Sequence, residues 1–372
     1  MSRSPTHRPL PFLAEALEGR RREGLLREPL PLPYPDRSFS SNDYLGLAQE
    51  PVDVTGPAGA GASRLVAGDH HAARQLEAGL GDWLGLPGVL LFTSGYAANV
   101  GTVSALATHS DRVLSDAMNH ASLIDGMRLS RARIEVFPHN DLRALATLLH
   151  QTPNPAPRRT FVVAESYYSM DADGPDLRGL RELCDAKGAV LILDETHALG
   201  VFGPEGRGLA AAAGVVPDVL MGALGKAFGV QGGFAAGAPE LRAWLWNAAR
   251  SFVYSTGISP LLASVGLARL TQVRAGGPLR ENLTAVAGLL RHALTDLGVA
   301  PLGHGPIVPW VLGDADRATA LATSLRAVGF HVQAIRPPTV PPGTSRLRLT
   351  VTARHTPQDI HDLVSAIGRT LA

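Results

Sequence analysis

Three short segments of the chain place reactive groups directly behind apolar runs. In Val219-Leu220-Met221-Gly222-Ala223-Leu224-Gly225-Lys226 a single lysine follows a strand-like run among small residues. Lysines avoid such surroundings unless they are paired or used. Desolvation and nearby positive charge lower an amine's pKa, which makes it a nucleophile and a general base. In Val190-Leu191-Ile192-Leu193-Asp194-Glu195-Thr196-His197 an aspartate ends a run apolar enough for a central, buried strand. A carboxylate buried there needs a partner, and a cationic nitrogen would hold it ionised. His197 follows closely enough to point into the same pocket. A metal could claim both residues, but no clear third ligand accompanies them, and a structural Asp–His pair is the plainer alternative. In Leu91-Phe92-Thr93-Ser94-Gly95-Tyr96-Ala97 a strand gives way to a helix. The free N–H groups of a first helical turn, with the positive dipole end, form an anion site, although a Ser N-cap with a Gly turn has the same spelling.

Together the three segments make one set of demands. A lysine can form an imine, a buried carboxylate can hold a proton on a ring nitrogen, and a helix N-terminus can hold a phosphate. Pyridoxal 5′-phosphate needs all three, because its strength as an electron sink depends on a protonated ring. Other phosphate motifs fail in detail. A Walker loop ending at Lys226 would need a glycine at Leu220 and a Ser or Thr at Ala227, and Gly59-Ala60-Gly61 reaches Arg64 where a dinucleotide fingerprint needs its third glycine.

These groups need a frame. Short apolar runs recur at residues 89–92, 112–115, 134–137, 161–164, 190–193, 219–221 and 234–236, with helix-like stretches at 97–107, 121–130, 141–150 and 176–187. That alternation predicts a mostly parallel sheet covered on both faces, with ligands at the carboxyl ends of its strands. Beyond residue 258, helices at 260–273, 279–297, 317–328 and 357–371 mix with strand-like runs at 307–312, 331–335 and 347–352, as in a smaller α+β domain. At the other end, a basic helix over 12–27 leads into a Pro-rich connector at 29–35, and 51–62 reads as a mobile loop. With 372 residues, 45% hydrophobic and 18% charged, the composition is that of an ordinary folded protein. A net charge of +1 gives no general reason to bind nucleic acid or an anionic membrane. One cysteine, Cys184, excludes an intramolecular disulfide, and residues 1–24 lack the apolar core of a secretory signal. The expectation is a soluble, cytoplasmic protein.

The chain resembles the α-oxoamine synthases, pyridoxal-phosphate enzymes with the aspartate-aminotransferase (type I) fold. The resemblance runs from about Ala16 to the C-terminal helix. It is carried by Ser40-Ser41-Asn42-Asp43-Tyr44-Leu45-Gly46, Ser63-Arg64-Leu65-Val66-Ala67-Gly68, Thr93-Ser94-Gly95-Tyr96-Ala97-Ala98-Asn99, Asn119-His120-Ala121-Ser122, Ser169-Met170-Asp171, Asp194-Glu195-Thr196-His197, Gly225-Lys226 and Arg346-Leu347-Arg348-Leu349-Thr350. It implies an N-terminal helix and extended segment over 1–42, a large cofactor-binding domain with a seven-stranded sheet over 43–275, and a small α+β domain over 276–372. It further implies that Lys226 binds the cofactor aldehyde and later takes the substrate's α-proton, that Asp194 pairs with the ring nitrogen, and that His197 and Ser169 hydrogen-bond the phenolic oxygen. His120 would stack on the ring, and the amides of Gly95 and Tyr96 would hold the phosphate, with Ser255 and Thr256 reaching it from the other subunit of a homodimer whose active sites lie at the interface. Arg348, with Asn42, would fix the substrate carboxylate, Thr339 would be a further substrate contact, and Arg27 would meet the pimeloyl carboxylate. The implied reaction condenses an amino acid, expected to be L-alanine, with a pimeloyl thioester on coenzyme A or acyl-carrier protein, releasing carbon dioxide. Related synthases using glycine or serine, and a catalytically silent partner subunit, are the alternatives. Two positions depart from the pattern: Ala223 stands where a phosphate-binding Thr or Ser is common, and Leu199 where Thr is frequent. Weaker cofactor retention is expected.

Overall fold

The protein is described by a computed structural model covering residues 10–27, 37–151 and 153–371; the expected Pro-rich connector lies outside these residues. Among the described residues ten strands form two sheets. The large sheet holds β1 (Gly88–Phe92), β2 (Arg112–Asp116), β3 (Arg133–Phe137), β4 (Thr160–Glu165), β5 (Val190–Asp194), β6 (Val219–Ala223) and β7 (Gly233–Gly237), in the order β1-β7-β6-β5-β4-β2-β3. Only β7 runs against its neighbours, β1 and β6. This is the expected seven-stranded, mostly parallel sheet. Its centre is β5, where Leu191, Ile192 and Leu193 are fully buried. Each such side chain contributes roughly 1.5–3 kcal/mol of burial. The parallel register sets Glu165 of β4 beside Asp194 of β5, and Asp194 beside Met221 of β6, so three strand ends open at one rim.

Helices flank the large sheet. In chain order they are α1 (Pro11–Arg22), α2 (His71–Leu84), α3 (Gly95–Leu106), α4 (Ala121–Ser130), α5 (Leu142–His150), α6 (Leu177–Lys187), α7 (Gly208–Ala213), α8 (Pro239–Ala248) and α9 (Arg250–Val253), then α10 (Pro260–Ala275), α11 (Gly277–Asp296), α12 (Ala315–Ala327) and α13 (Pro357–Leu371). Of these, α11 to α13 pack against one another and against the second, smaller sheet. The first helix is shorter than the expected 12–27. It stops at Arg22 because Gly24 adopts φ 66°, a left-handed conformation that ends a helix. The segment at 51–62 has no regular secondary structure. Among the described residues no helix is long and apolar enough to cross a membrane.

The small sheet is antiparallel, in the order β8 (Ile307–Gly313), β10 (Ser345–Thr350), β9 (Gln333–Ile335). Alternation along β10 divides its side chains. Leu347 and Leu349 enter the apolar core, while Arg346 and Arg348 project from the strand toward the segment after β4, bonding Met170, Asp171 and Ser169.

Candidate active site

A cavity of about 220 Å³ opens at the rim of β4, β5 and β6, and its wall includes Ser94, Gly95, Tyr96, His120, Asp194, His197 and Lys226. The three segments that the sequence singles out meet here. Asp194, 5% exposed, accepts bonds from Asn99 Nδ2 at 2.8 Å and from the Thr196 amide at 2.8 Å. Both oxygens are therefore fixed without a cation on them. Lys226 is half-buried. Burial pulls its pKa down to about 8; Asp194 and Glu165 oppose that shift, and Arg348 adds to it. Among the described residues no hydrogen bond or ion pair reaches its amine, a donor group left for something else.

His197 lies under the same cavity. Its Nδ1 is 2.6 Å from the Tyr44 hydroxyl, and its pKa is held well below the usual value by burial and then by Lys226 and Arg348. Burial pushes Tyr44 up to about 12. The Tyr44 hydroxyl also reaches Asn42 Oδ1 at 3.4 Å; where the phenol donates to Nδ1, the ring proton lies on Nε2. His120 caps α4, accepting the Ser122 amide at 3.2 Å while its Nδ1 lies 2.7 Å from Ser122 Oγ. Burial lowers its pKa; Asp194 opposes this, and Lys226 adds to it. The Asn99 amide also donates to Ser122 Oγ at 2.9 Å, so one side chain links Asp194 to the His120 turn.

At the other end of the cavity, Ser94 caps α3: its hydroxyl takes the Ala97 amide at 3.1 Å and its carbonyl the Ala98 amide at 3.0 Å. Among the described residues no acceptor takes the amides of Gly95 and Tyr96, which are left for a ligand. Space is shaped for close approach here, because a Cβ on Gly95 would come within 2.7 Å of Ala223 Cβ. The Tyr96 side chain is drawn away to Asp125, so only its backbone serves this end.

The remaining expected residues lie outside the lining of this cavity. Arg348 is buried; its Nε donates to Ser169 O at 2.6 Å, Nη1 to Thr350 Oγ1 at 2.9 Å and Nη2 to Asn42 Oδ1 at 3.0 Å. The structure thus brings Arg348, Asn42 and Ser169 together, although it is the carbonyl of Ser169 that is engaged. Ser255 and Thr256 stand after α9, and neither lines the cavity; Thr256 is exposed. Arg27 donates to Thr339 Oγ1 at 3.2 Å, and both line a separate depression of about 210 Å³. Sequence reasoning did not single out Glu165, Tyr44, Asn99 or Ser122 as individual residues. Glu165 is the least expected: it is buried, accepts the His120 amide at 2.6 Å, and is pushed well above its usual pKa by burial and by Asp194 alongside. Its place at the end of a strand-like run was the available signal.

The donor set fits pyridoxal 5′-phosphate. It offers an unpartnered amine, a fixed carboxylate, a neutral imidazole and two free helical amides around one cavity. Comparison with known proteins agrees. The aminotransferase class I and II family matches residues 37–367. The chain belongs to that family. Its relatives include an 8-amino-7-oxononanoate synthase of Trichlorobacter lovleyi, 42% identical over 97% of this chain and 98% of the relative. Another of the same name, from Anaeromyxobacter dehalogenans, is 45% identical over 90% of this chain and 86% of the relative. Among solved structures, a serine palmitoyltransferase from S. paucimobilis with bound PLP superposes with a TM-score of 0.89 at 26% identity, covering 96% of each chain. An 8-amino-7-oxononanoate synthase from Francisella tularensis shares the fold, with a TM-score of 0.77 at 23% identity over 91% of this chain and 98% of that one. Within the aminotransferase class I and II family, the chain is an α-oxoamine synthase.

Proposed function

We propose that this chain is a pyridoxal-phosphate-dependent 8-amino-7-oxononanoate synthase of biotin biosynthesis. It joins L-alanine to a pimeloyl thioester, releasing carbon dioxide and the thiol carrier, coenzyme A or acyl-carrier protein. The observation that carries this reading is the convergence of Lys226, Asp194, His197 and the α3 N-terminus on one cavity, in a chain whose relatives of that name are 42% and 45% identical.

When bound, pyridoxal 5′-phosphate supplies an electron sink for the pair left at the amino acid's α-carbon. Lys226 would hold its aldehyde carbon and, once displaced, take the α-proton at Nζ; a pKa of about 8 suits both tasks near neutral pH. Asp194 would hold the ring-nitrogen proton. Its fixed oxygens need no rearrangement to do so. His197, with Nε2 protonated, and Ser169 would hydrogen-bond the phenolic oxygen. His120 would cover one ring face, and the Gly95 and Tyr96 amides would hold the phosphate. Arg348, with Asn42, would grip the amino acid carboxylate and so aim the Cα–H bond at Lys226, a gain of positioning. Arg27 would meet the far carboxylate of the pimeloyl chain, and Thr339, bonded to Arg27, would be a further substrate contact. In a homodimer with active sites at the interface, Ser255 and Thr256 would reach the phosphate held by the other subunit, offsetting the hydroxyl missing at Ala223. The reading places the enzyme in the cytoplasm, where a lone buried Cys184 stays reduced.

Product formation from alanine, glycine and serine, each against short, dicarboxylic and long acyl-CoAs, tests the proposal. Alanine with pimeloyl-CoA is the expected best pair; a preference for glycine with a short chain or serine with a long one overturns it. Light scattering checks the dimer.

A further inference from the structure

Strand β2 ends at Asp116, and a tight turn carries the chain from there to His120. The Asp116 side chain is 1% exposed and is the hub of that turn. Its Oδ1 accepts the Met118 amide at 2.8 Å and meets His139 Nδ1 at 2.8 Å, and its Oδ2 accepts the Asn140 amide at 2.8 Å. His139 follows β3, with its ring edge-on to Tyr168 at 4.5 Å between centroids. Its other nitrogen, Nε2, lies 3.1 Å from Asp173 Oδ1 and 3.1 Å from the Asn140 Nδ2 that also donates to Asp173 Oδ2. A carboxylate at each nitrogen favours a ring protonated at both, with the Asn140 amide bonded to the same Asp173. Burial works against that charge, but Asp116 and Asp173 outweigh it and raise the His139 pKa to about 10. A fixed cation therefore bridges two backbone segments.

Each segment leads to a different half of the site. The Asp116 turn ends in His120, whose amide is also held by Glu165. Asp173 closes the loop after β4, its carbonyl taking the Tyr168 amide at 2.8 Å. Within that loop Asp171 pairs with Arg346 at 2.6 Å, and the Ser169 carbonyl takes Arg348 Nε at 2.6 Å. The connection runs without a gap from the His120 turn, through the His139 cation, to the guanidinium on β10.

We infer that His139 is a positioning residue, clasping the turn that carries His120 to the loop that anchors Arg348, so that the ring-facing and carboxylate-holding halves of the site stay in register. The inference rests on the functional reading above, which gives those halves their tasks. It is tested by titrating the cofactor-loaded wild type, His139→Phe and Asp173→Ala with L-alanine, following the visible spectrum, and by measuring KM for the acyl thioester. The Phe variant keeps ring volume against Tyr168 and loses both N–H groups. Should it fail to fold, Asp173→Ala, at the more exposed end, decides alone. The expected result is an apparent Kd for L-alanine raised about tenfold in His139→Phe and about threefold in Asp173→Ala, with the acyl KM within about twofold of wild type. A purely structural ion pair would lower the melting temperature and leave that split absent. A wild type that responds to L-alanine while both variants match it overturns this inference alone. A wild type whose spectrum ignores every amino acid overturns the functional reading, and this inference with it.

Discussion

Two of the buried clusters of charge among the described residues are built in opposite ways. Around Arg64, 4% exposed, every charge is answered. Its guanidinium takes Asp69 Oδ1 at 2.9 and 2.7 Å and grips Glu77, and it lies over the rings of Trp246 and Phe252. Glu77 in turn accepts the Leu91 amide at 2.9 Å and Arg242 at 3.1 Å. Burial disfavours the Arg64 charge, yet the two carboxylates outweigh it and its pKa rises. Around Lys226 the opposite holds: the amine is drawn down to about 8, and among the described residues no hydrogen bond or ion pair closes on it. A saturated network holds α2 against β1, and an unsaturated one waits for a ligand. Both arise from segments that carry the family resemblance, so motif membership alone does not separate structure from chemistry.

Lys226→Ala tests the open cluster most severely. Product formation should fall by about a thousandfold or more, and the yellow band of the purified protein should vanish, with the melting temperature of the cofactor-free protein little changed. The closed cluster should break the other way. Arg64→Ala leaves buried Glu77 with only Arg242 at 3.1 Å and the Leu91 amide, and should cost about 3 kcal/mol in denaturant unfolding. If Arg64→Ala abolished turnover while leaving the unfolding midpoint unmoved, the contrast drawn above would be wrong.

Acidity sharpens the comparison. Because the Lys226 pKa is about 8, against an ordinary 10.5, the rate at which cofactor-free protein captures added pyridoxal 5′-phosphate should climb about tenfold per pH unit below 8 and level off above it. His139 carries the opposite sign. Its pKa is raised from 6.5 to about 10, so its stabilising contribution is complete below about pH 6.5 and lost as pH rises through 10. The stability difference between wild type and His139→Phe should shrink across that window in urea titrations. Smallest is the effect at the phosphate end. Ala223→Ser should slow cofactor loss during dialysis by about fivefold, the worth of one hydrogen bond.

Much of the frame was legible because buried parallel strands are written as short apolar runs with abrupt ends. Each of the seven expected runs lies within two residues of an observed strand end. Asp194 and Lys226 stood out because a charge at such an end is costly. Helix α2 did not, since its N-cap, His70, makes no side-chain capping bond and the usual start signal is absent. Side chains that act only through distant partners were equally silent. The Asn99 amide finds its use in Asp194, 95 positions away, and Tyr44 in His197, 153 away. Arg64 read as part of a motif, and nothing local announced that Glu77 and Asp69 would neutralise it.

The lone antiparallel strand has one last effect. Gly233, at the start of β7, lies so close under α3 that a methyl group added to it would stand 2.5 Å from the Gly95 nitrogen. A library of random variants would therefore score this position as intolerant, on a par with the reactive lysine, though it donates no proton and contacts no substrate. What such a survey would be recording is clearance, the thickness of one carbon atom between a strand and the mouth of a helix.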